Sequence, residues 1–216
     1  MPDTLAAARD IHASLIRNEP MQARSTARLA ALLDAAAAVV ADIGYERLTT
    51  AMVADGAGAS IGTVYRYFPD RIAVLQSLAA RNEDRITSRV VEVIGDPDHR
   101  DWLEALRASF EVFVAFVREE PGFASLRLGD VLDLRPAEGE LRNTVMADAI
   151  FDALVARFDI ADDARTRSGF RVAIETTDAL VTRAFARDPQ GDAAQLEAAL
   201  LAVRSVLGDY LDIPAR

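Results

Sequence analysis

Gly58 and Pro69 confine residues 59–68 to a helix of barely two turns, and that confinement limits the fold more than any other feature of the chain. Gly58 sits where a helix C-terminus needs a left-handed residue, and Ser60 is a ready N-cap for the helix that follows. Pro69 lacks a backbone donor and stops that helix. The helix before it is equally short. Thr49 or Thr50 caps it, it ends near Ala57, and Gly56 within it costs about 0.5–1 kcal/mol relative to alanine. Further upstream, Leu29, Leu32, Leu33, Ala36, Val40 and Ile43 step by three or four along a helix from Ser25 to Ile43, which Gly44 ends. One long amphipathic helix followed by two short ones around a small Ala57-Gly58 turn predicts a helix-turn-helix.

The remainder also reads as helix. Asp70 caps a connecting helix at about 70–93, and the "GDPD" run at 95–98 breaks it. Residues 101–119 are apolar nearly all round, a pattern expected in the middle of a domain. A short segment follows Pro121, then a helix at about 138–158. Two regular stripes complete the chain: Phe170, Ile174, Thr177, Val181 and Phe185, then Leu196, Leu200, Val203, Leu207 and Tyr210. Joined by "RDPQGD", these helices predict a hairpin. Its stripes either pair with a second copy as a four-helix bundle or face their own core. No strand alternation or internal repeat is evident. The expected fold is all-α: a weakly patterned, partly disordered extension at 1–24, a helix-turn-helix domain at 25–72, and a helical body at 73–216.

Composition sets the outer limits. Hydrophobic residues make up 51% of the chain, yet its richest run, "LAALLDAAAAVVADIG", is interrupted by Asp34 and Asp42, so no membrane span is expected. The first residues lack a basic segment followed by an apolar one, so no secretion leader is expected. Cysteine is absent, which excludes disulfides and thiolate metal sites and suits a cytoplasmic protein. His12 and His99 stand apart without ligand partners, and no phosphate loop or nucleophile motif occurs. No metal, cofactor or enzymatic activity is expected. The net charge of −10 argues against indiscriminate coating of nucleic acid. Residues 1–90 nevertheless hold 10 arginines against 10 acids, while residues 91–216 hold 14 against 24, so the whole excess lies in the second part.

The short helix after Gly58 presents Ser60, Thr63, Tyr65, Arg66 and Tyr67 within two turns, with Gly62 allowing its backbone near another surface. Hydroxyl, phenol and guanidinium groups bond phosphate oxygens and base edges. Helix N-termini at Thr50 and Ser60 add backbone N–H groups. Tyr65 also suits packing against the first helix with only its hydroxyl outward.

Residues 44–75, "GYERLTTAMVADGAGASIGTVYRYFPDRIAVL", resemble the DNA-binding signature of the tetracycline-repressor (TetR-type) family of bacterial transcription regulators. The resemblance rests on Gly44, Thr49-Thr50, Val53-Ala54, Ala57-Gly58, Ser60, Gly62-Thr63-Val64-Tyr65, Tyr67-Phe68-Pro69 and Arg71. It implies that Thr49 and Thr50 cap the second helix and meet the DNA backbone. It implies further that Ser60, Thr63, Tyr65 and Tyr67 contact phosphates or bases, that Arg66 reads a base, and that Arg71 holds a phosphate. Ile61 departs from the family, which commonly has a polar residue there; an isoleucine either touches a thymine methyl or loses a contact. The resemblance also implies a homodimer, through Phe170, Ile174, Val181, Phe185, Leu196, Leu200, Val203, Leu207 and Tyr210. In the body it implies a small-molecule effector site. Trp102, Phe110, Phe113, Phe116, Phe123, Leu126, Met146, Ile150 and Phe151 are its candidate walls, with Glu175 and Asp178 among the polar groups that orient an apolar or aromatic effector. The expected protein is a repressor released from a palindromic operator by its effector. An effector-independent regulator or activator is a second reading, and a helical ligand-binding protein whose helix-turn-helix is only a corner is a third.

Overall fold

The 3–4 spacing of Leu29, Leu32, Leu33, Ala36 and Val40 places all five on one buried face of α1 (Ala23–Ile43). The computed structural model describes residues 23–128 and 142–210. Among them every regular element is helical. A 3-10 turn (Tyr45–Arg47) precedes α2 (Thr50–Gly56), α3 (Ile61–Tyr67), α4 (Arg71–Ile94) and α5 (Trp102–Glu119); α6 (Phe123–Leu128), α7 (Arg142–Arg157), α8 (Ala164–Arg187) and α9 (Ala193–Tyr210) follow. The extension expected at 1–24 falls almost wholly outside the described residues, as does the beginning of the helix expected at 138–158.

The chain divides into two compact units, Met1–Asp84 with Glu120–Gly139 and Arg85–Glu119 with Glu140–Arg216. The division falls inside α4, a single continuous helix. It also assigns α6 to the first unit.

In the first unit, α1, α2, α3, the start of α4 and α6 enclose one core that includes Leu32, Val53, Val64, Phe68, Val74 and Leu126. Gly58, at φ +57°, closes α2 in a Schellman turn: Ala59 N–H donates to the Ala54 carbonyl at 2.9 Å and Gly58 N–H to that of Asp55 at 3.2 Å. The close approach of α2 to α1 is made at Gly56. A Cβ on Gly56 would lie 3.1 Å from that of Ala35 on α1, whereas one on Gly58 would meet nothing within 4 Å. Gly56 therefore gives up helix propensity for contact. Phe68, before Pro69, is extended (φ −126°, ψ 122°) and buried, and Asp70 restarts the helix by accepting from Ala73 N–H at 2.9 Å. Gly122, at φ +73°, brings α6 against Val40 and Ala37 of α1.

Tyr67 belongs to this core as well. It is 3% exposed, and its hydroxyl shares a 3.0 Å hydrogen bond with Ser25 Oγ on α1. The sequence reading set it on the outward face of the helix. Tyr65 and Tyr67 stand two residues apart, so on a helix of 3.6 residues per turn they point to opposite sides.

In the second unit, α8 and α9 form the expected hairpin, turned by Gly191 at φ +82°. Asp163 caps α8 by accepting from Thr166 N–H at 2.8 Å, and this hydrogen bond holds its carboxyl below the usual aspartate range. On α5 the buried line runs through Ala105, Ser109, Phe113, Phe116 and Val117; Leu103, Leu106, Phe110 and Val112 are half-buried, as a helix apolar on two faces requires. An ion network fastens α7 to α8. Arg171 grips Asp148 through two hydrogen bonds at 3.1 and 2.7 Å. Arg167 meets Asp152 and Asp162, each at 2.9 Å, and lies over the Phe151 ring.

The two stripes assigned to dimerisation are mostly enclosed within this one chain. Phe170, Val181, Phe185, Leu196, Val203 and Leu207 are buried, and Ile174 and Leu200 are half-buried. Tyr210 packs its ring on the backbone of Gly169, with Arg165 above it. Within this chain the two stripes pack against each other, α8 on α9. Val172 and Leu201 point outward instead, the latter 58% exposed.

Gly169→Ala is expected to destabilise the protein by about 1–3 kcal/mol, despite alanine's better helix propensity, because its methyl meets Tyr210 close to the backbone. A lowered midpoint in thermal unfolding checks this, and an unchanged one counts against the packing. Tyr67→Phe is expected to lose about 0.5–1.5 kcal/mol through the missing bond to Ser25. Urea unfolding measures it, and a neutral outcome would return Tyr67 to the surface.

Candidate nucleic-acid interface

The hydroxyls at the start of α2 divide two tasks. Thr49 is the N-cap: its Oγ1 accepts from Met52 N–H at 3.2 Å. Thr50 is the first helical residue, and its hydroxyl donates to the Tyr65 oxygen at 3.3 Å, tying the outer faces of α2 and α3 together. At the start of α3, Ser60 Oγ accepts from Thr63 N–H at 3.2 Å and shares a 2.9 Å bond with Thr63 Oγ1. The two caps hold the turn rigid while leaving Thr49 and Ser60 exposed.

Helical spacing then sorts the side chains of α3. Val64 and Tyr67 point into the core; Ile61, Gly62, Tyr65 and Arg66 are exposed, and Thr63 is half-buried. Among the described residues no packing requires Gly62, since a Cβ there would meet only Ser60 Oγ, at 3.8 Å. Arg66 lies beside the Tyr67 ring, 5.4 Å from its centroid. Arg71 is exposed, and one of its guanidinium nitrogens donates to the Glu46 carbonyl of the 3-10 turn at 3.1 Å. Of the ten residues assigned to DNA, nine lie at or near the surface and Tyr67 does not. Met52 on α2 is also exposed, at 39%.

The effector assignments scatter. Phe113, Phe116, Ile150 and Phe151 are buried in the second unit, with Phe110 and Met146 half-buried there. Phe123 and Leu126 belong to the first unit, where α6 packs on α1 and Leu126 joins the helix-turn-helix core. Glu175 is exposed on the same outward side of α8 as Val172, and Asp178 is half-buried. Trp102 lines a cavity of about 360 Å³ with Phe158, Ile160, Arg165 and Tyr210. That cavity is built from three distant segments, which no local pattern could bring together. Among the described residues no cluster of three or more His, Cys, Asp or Glu could hold a metal ion, and no helix is long and apolar enough to cross a membrane.

Comparison with known proteins agrees with this geometry. Residues 32–78 match the family described as bacterial regulatory proteins, tetR family, and residues 100–212 match the tetracyclin repressor-like C-terminal domain. A TetR-family transcriptional regulator from Streptomyces coelicolor has a similar solved structure, with 32% identity, a TM-score of 0.72, and coverage of 87% of this chain and 99% of that one. The HTH-type transcriptional repressor KstR of Rhodococcus jostii is 33% identical over 90 residues, 42% of this chain and 41% of its own. The nucleoid occlusion factor SlmA of Photobacterium profundum is 29% identical over 89 residues, 41% of this chain and 44% of its own. The chain thus spans less than half the length of these curated relatives. A matched body, a matched helix-turn-helix and a similar structure over nearly its whole length place the chain in the tetracycline-repressor family, whose members are DNA-binding transcription regulators and not enzymes.

Proposed function

We propose that the protein is a homodimeric repressor that leaves a near-palindromic operator when a small apolar or aromatic effector binds its body. The observation that carries the DNA part is the outer face of α3. It sets a glycine the fold does not need beside an exposed arginine, on a helix whose other side is locked into a core. In this reading two copies of α3 enter successive major grooves roughly 34–36 Å apart. Arg66 grips a guanine edge, while Thr49, Ser60 and Arg71 hold phosphates. The outward side of the α8–α9 hairpin, with Val172 and Leu201, pairs with its copy.

The switch in this reading runs through α4, which belongs to both units. Ser77 and Asn82 on α4 are fully buried, and their side-chain polar atoms have no hydrogen-bond partner among the described residues. An effector that prefers one of two arrangements of the body shifts the population between them. The effector must bind one state more tightly than the other.

Three outcomes test the proposal. Arg66→Ala is expected to relax base preference at one position by about 1–3 kcal/mol, while Arg71→Ala weakens all sequences alike and lowers the salt slope by about one. Binding titrations against selected DNA at several salt concentrations distinguish the two, and indistinguishable variants would reject this division of roles. A thermal-shift screen against metabolites and drugs identifies the effector, since a ligand at about 100 times its Kd adds roughly 2.7 kcal/mol of stability. Operator affinity is then measured with that effector at saturation. An unchanged Kd would favour an effector-independent regulator.

A further inference from the structure

Five large apolar side chains are exposed among the described residues: Met52, Ile61, Tyr65, Val172 and Leu201. Three of them lie on α2 and α3, the two helices of the candidate interface. Ile61 and Tyr65 are four residues apart on α3, so they stand one above the other on the same face. They are 43% and 44% exposed. Gly62 and Arg66, also four apart, form the neighbouring row. The recognition face therefore has an apolar row beside a row that is bare at one end and cationic at the other.

The fold does not call for the apolar row. Ile61 is the first residue of α3, where a polar side chain would be at least as stable in water, and its side chain is not part of the core. Tyr65 is held in place, since its phenol oxygen accepts from Thr50 at 3.3 Å. The row is thus preorganised and points the same way as the residues assigned to bases. In the major groove only one base edge presents an apolar group, the C5-methyl of thymine.

We propose that Ile61 is a specificity-determining residue that reads thymine through its methyl group, with the Tyr65 ring as the adjoining wall. The proposal rests on the reading that α3 enters the major groove. Gly62 supports it by letting the backbone come close, so that a side chain as short as isoleucine reaches a base. The departure from the family pattern at residue 61 then becomes a preference for a thymine at one position of each half-site, contacted without any hydrogen bond.

The full-length protein is used to select binding sites from random duplex DNA. Each thymine of the selected half-site is then replaced by deoxyuridine, which removes only the methyl. The Kd is measured for the wild type and for Ile61→Ala, with thermal midpoints confirming that the variant is folded. One replacement is expected to weaken the wild type about fourfold per half-site, the loss of one buried methyl group. In Ile61→Ala the thymine and deoxyuridine sites should bind alike. The proposal is overturned if no replacement affects the wild type, or if the same penalty persists in Ile61→Ala. Failure to select any DNA would instead overturn the reading of α3 as a groove-binding helix, and this proposal with it.

Discussion

A helix of seven residues has no stability of its own, because so few propagating turns cannot offset the cost of nucleation. Both α2 and α3 are that short. Their orientation depends on the core beneath them, where Val53, Val64, Phe68 and Leu32 are fully buried, and on the Schellman turn at Gly58. Everything that α3 presents outward follows from what it fastens inward. Tyr67 and its bond to Ser25 illustrate the link: a phenol committed to α1 sets the rotation of the helix that exposes Ile61, Gly62, Tyr65 and Arg66.

The same dependence explains why an acidic chain can meet an anionic polymer. The first 90 residues are charge-balanced, and the excess of acids lies beyond them. Arg66 and Arg71 are exposed where α3 ends and α4 begins, while Asp70 between them is bonded to Ala73 N–H at the start of α4. Repulsion between exposed like charges falls off over about a Debye length, roughly 8–10 Å.

In the second unit the decisive interaction is between α8 and α9. Their regular stripes meet each other, Gly169 admits the Tyr210 ring, and Gly191 turns the chain beside Phe185 and Leu196. The Arg167 and Arg171 network then seats α7 on α8 with paired, partly buried charges, which hold register more than they add stability. What remains outward among the described residues of the hairpin includes Val172 and Leu201.

Local signals were enough for the helices, the cap at Ser60, the left-handed glycine at 58 and the hairpin turn, because each depends on residues within one or two turns of one another. The family resemblance was legible for the same reason, being a contiguous run. Periodicity showed which residues share a face but could not say what the face meets, so Phe170, Leu196 and Leu207 were assigned to a dimer seam with their own core as the alternative. Tertiary structure alone decided that these three are buried within this chain, that Tyr67 is inside and Tyr65 outside, that Gly56 lies against Ala35, and that Leu126 packs under the helix-turn-helix. Each of those outcomes depends on a contact between segments tens of residues apart, and sequence spacing along a single helix holds no information about its distant partner.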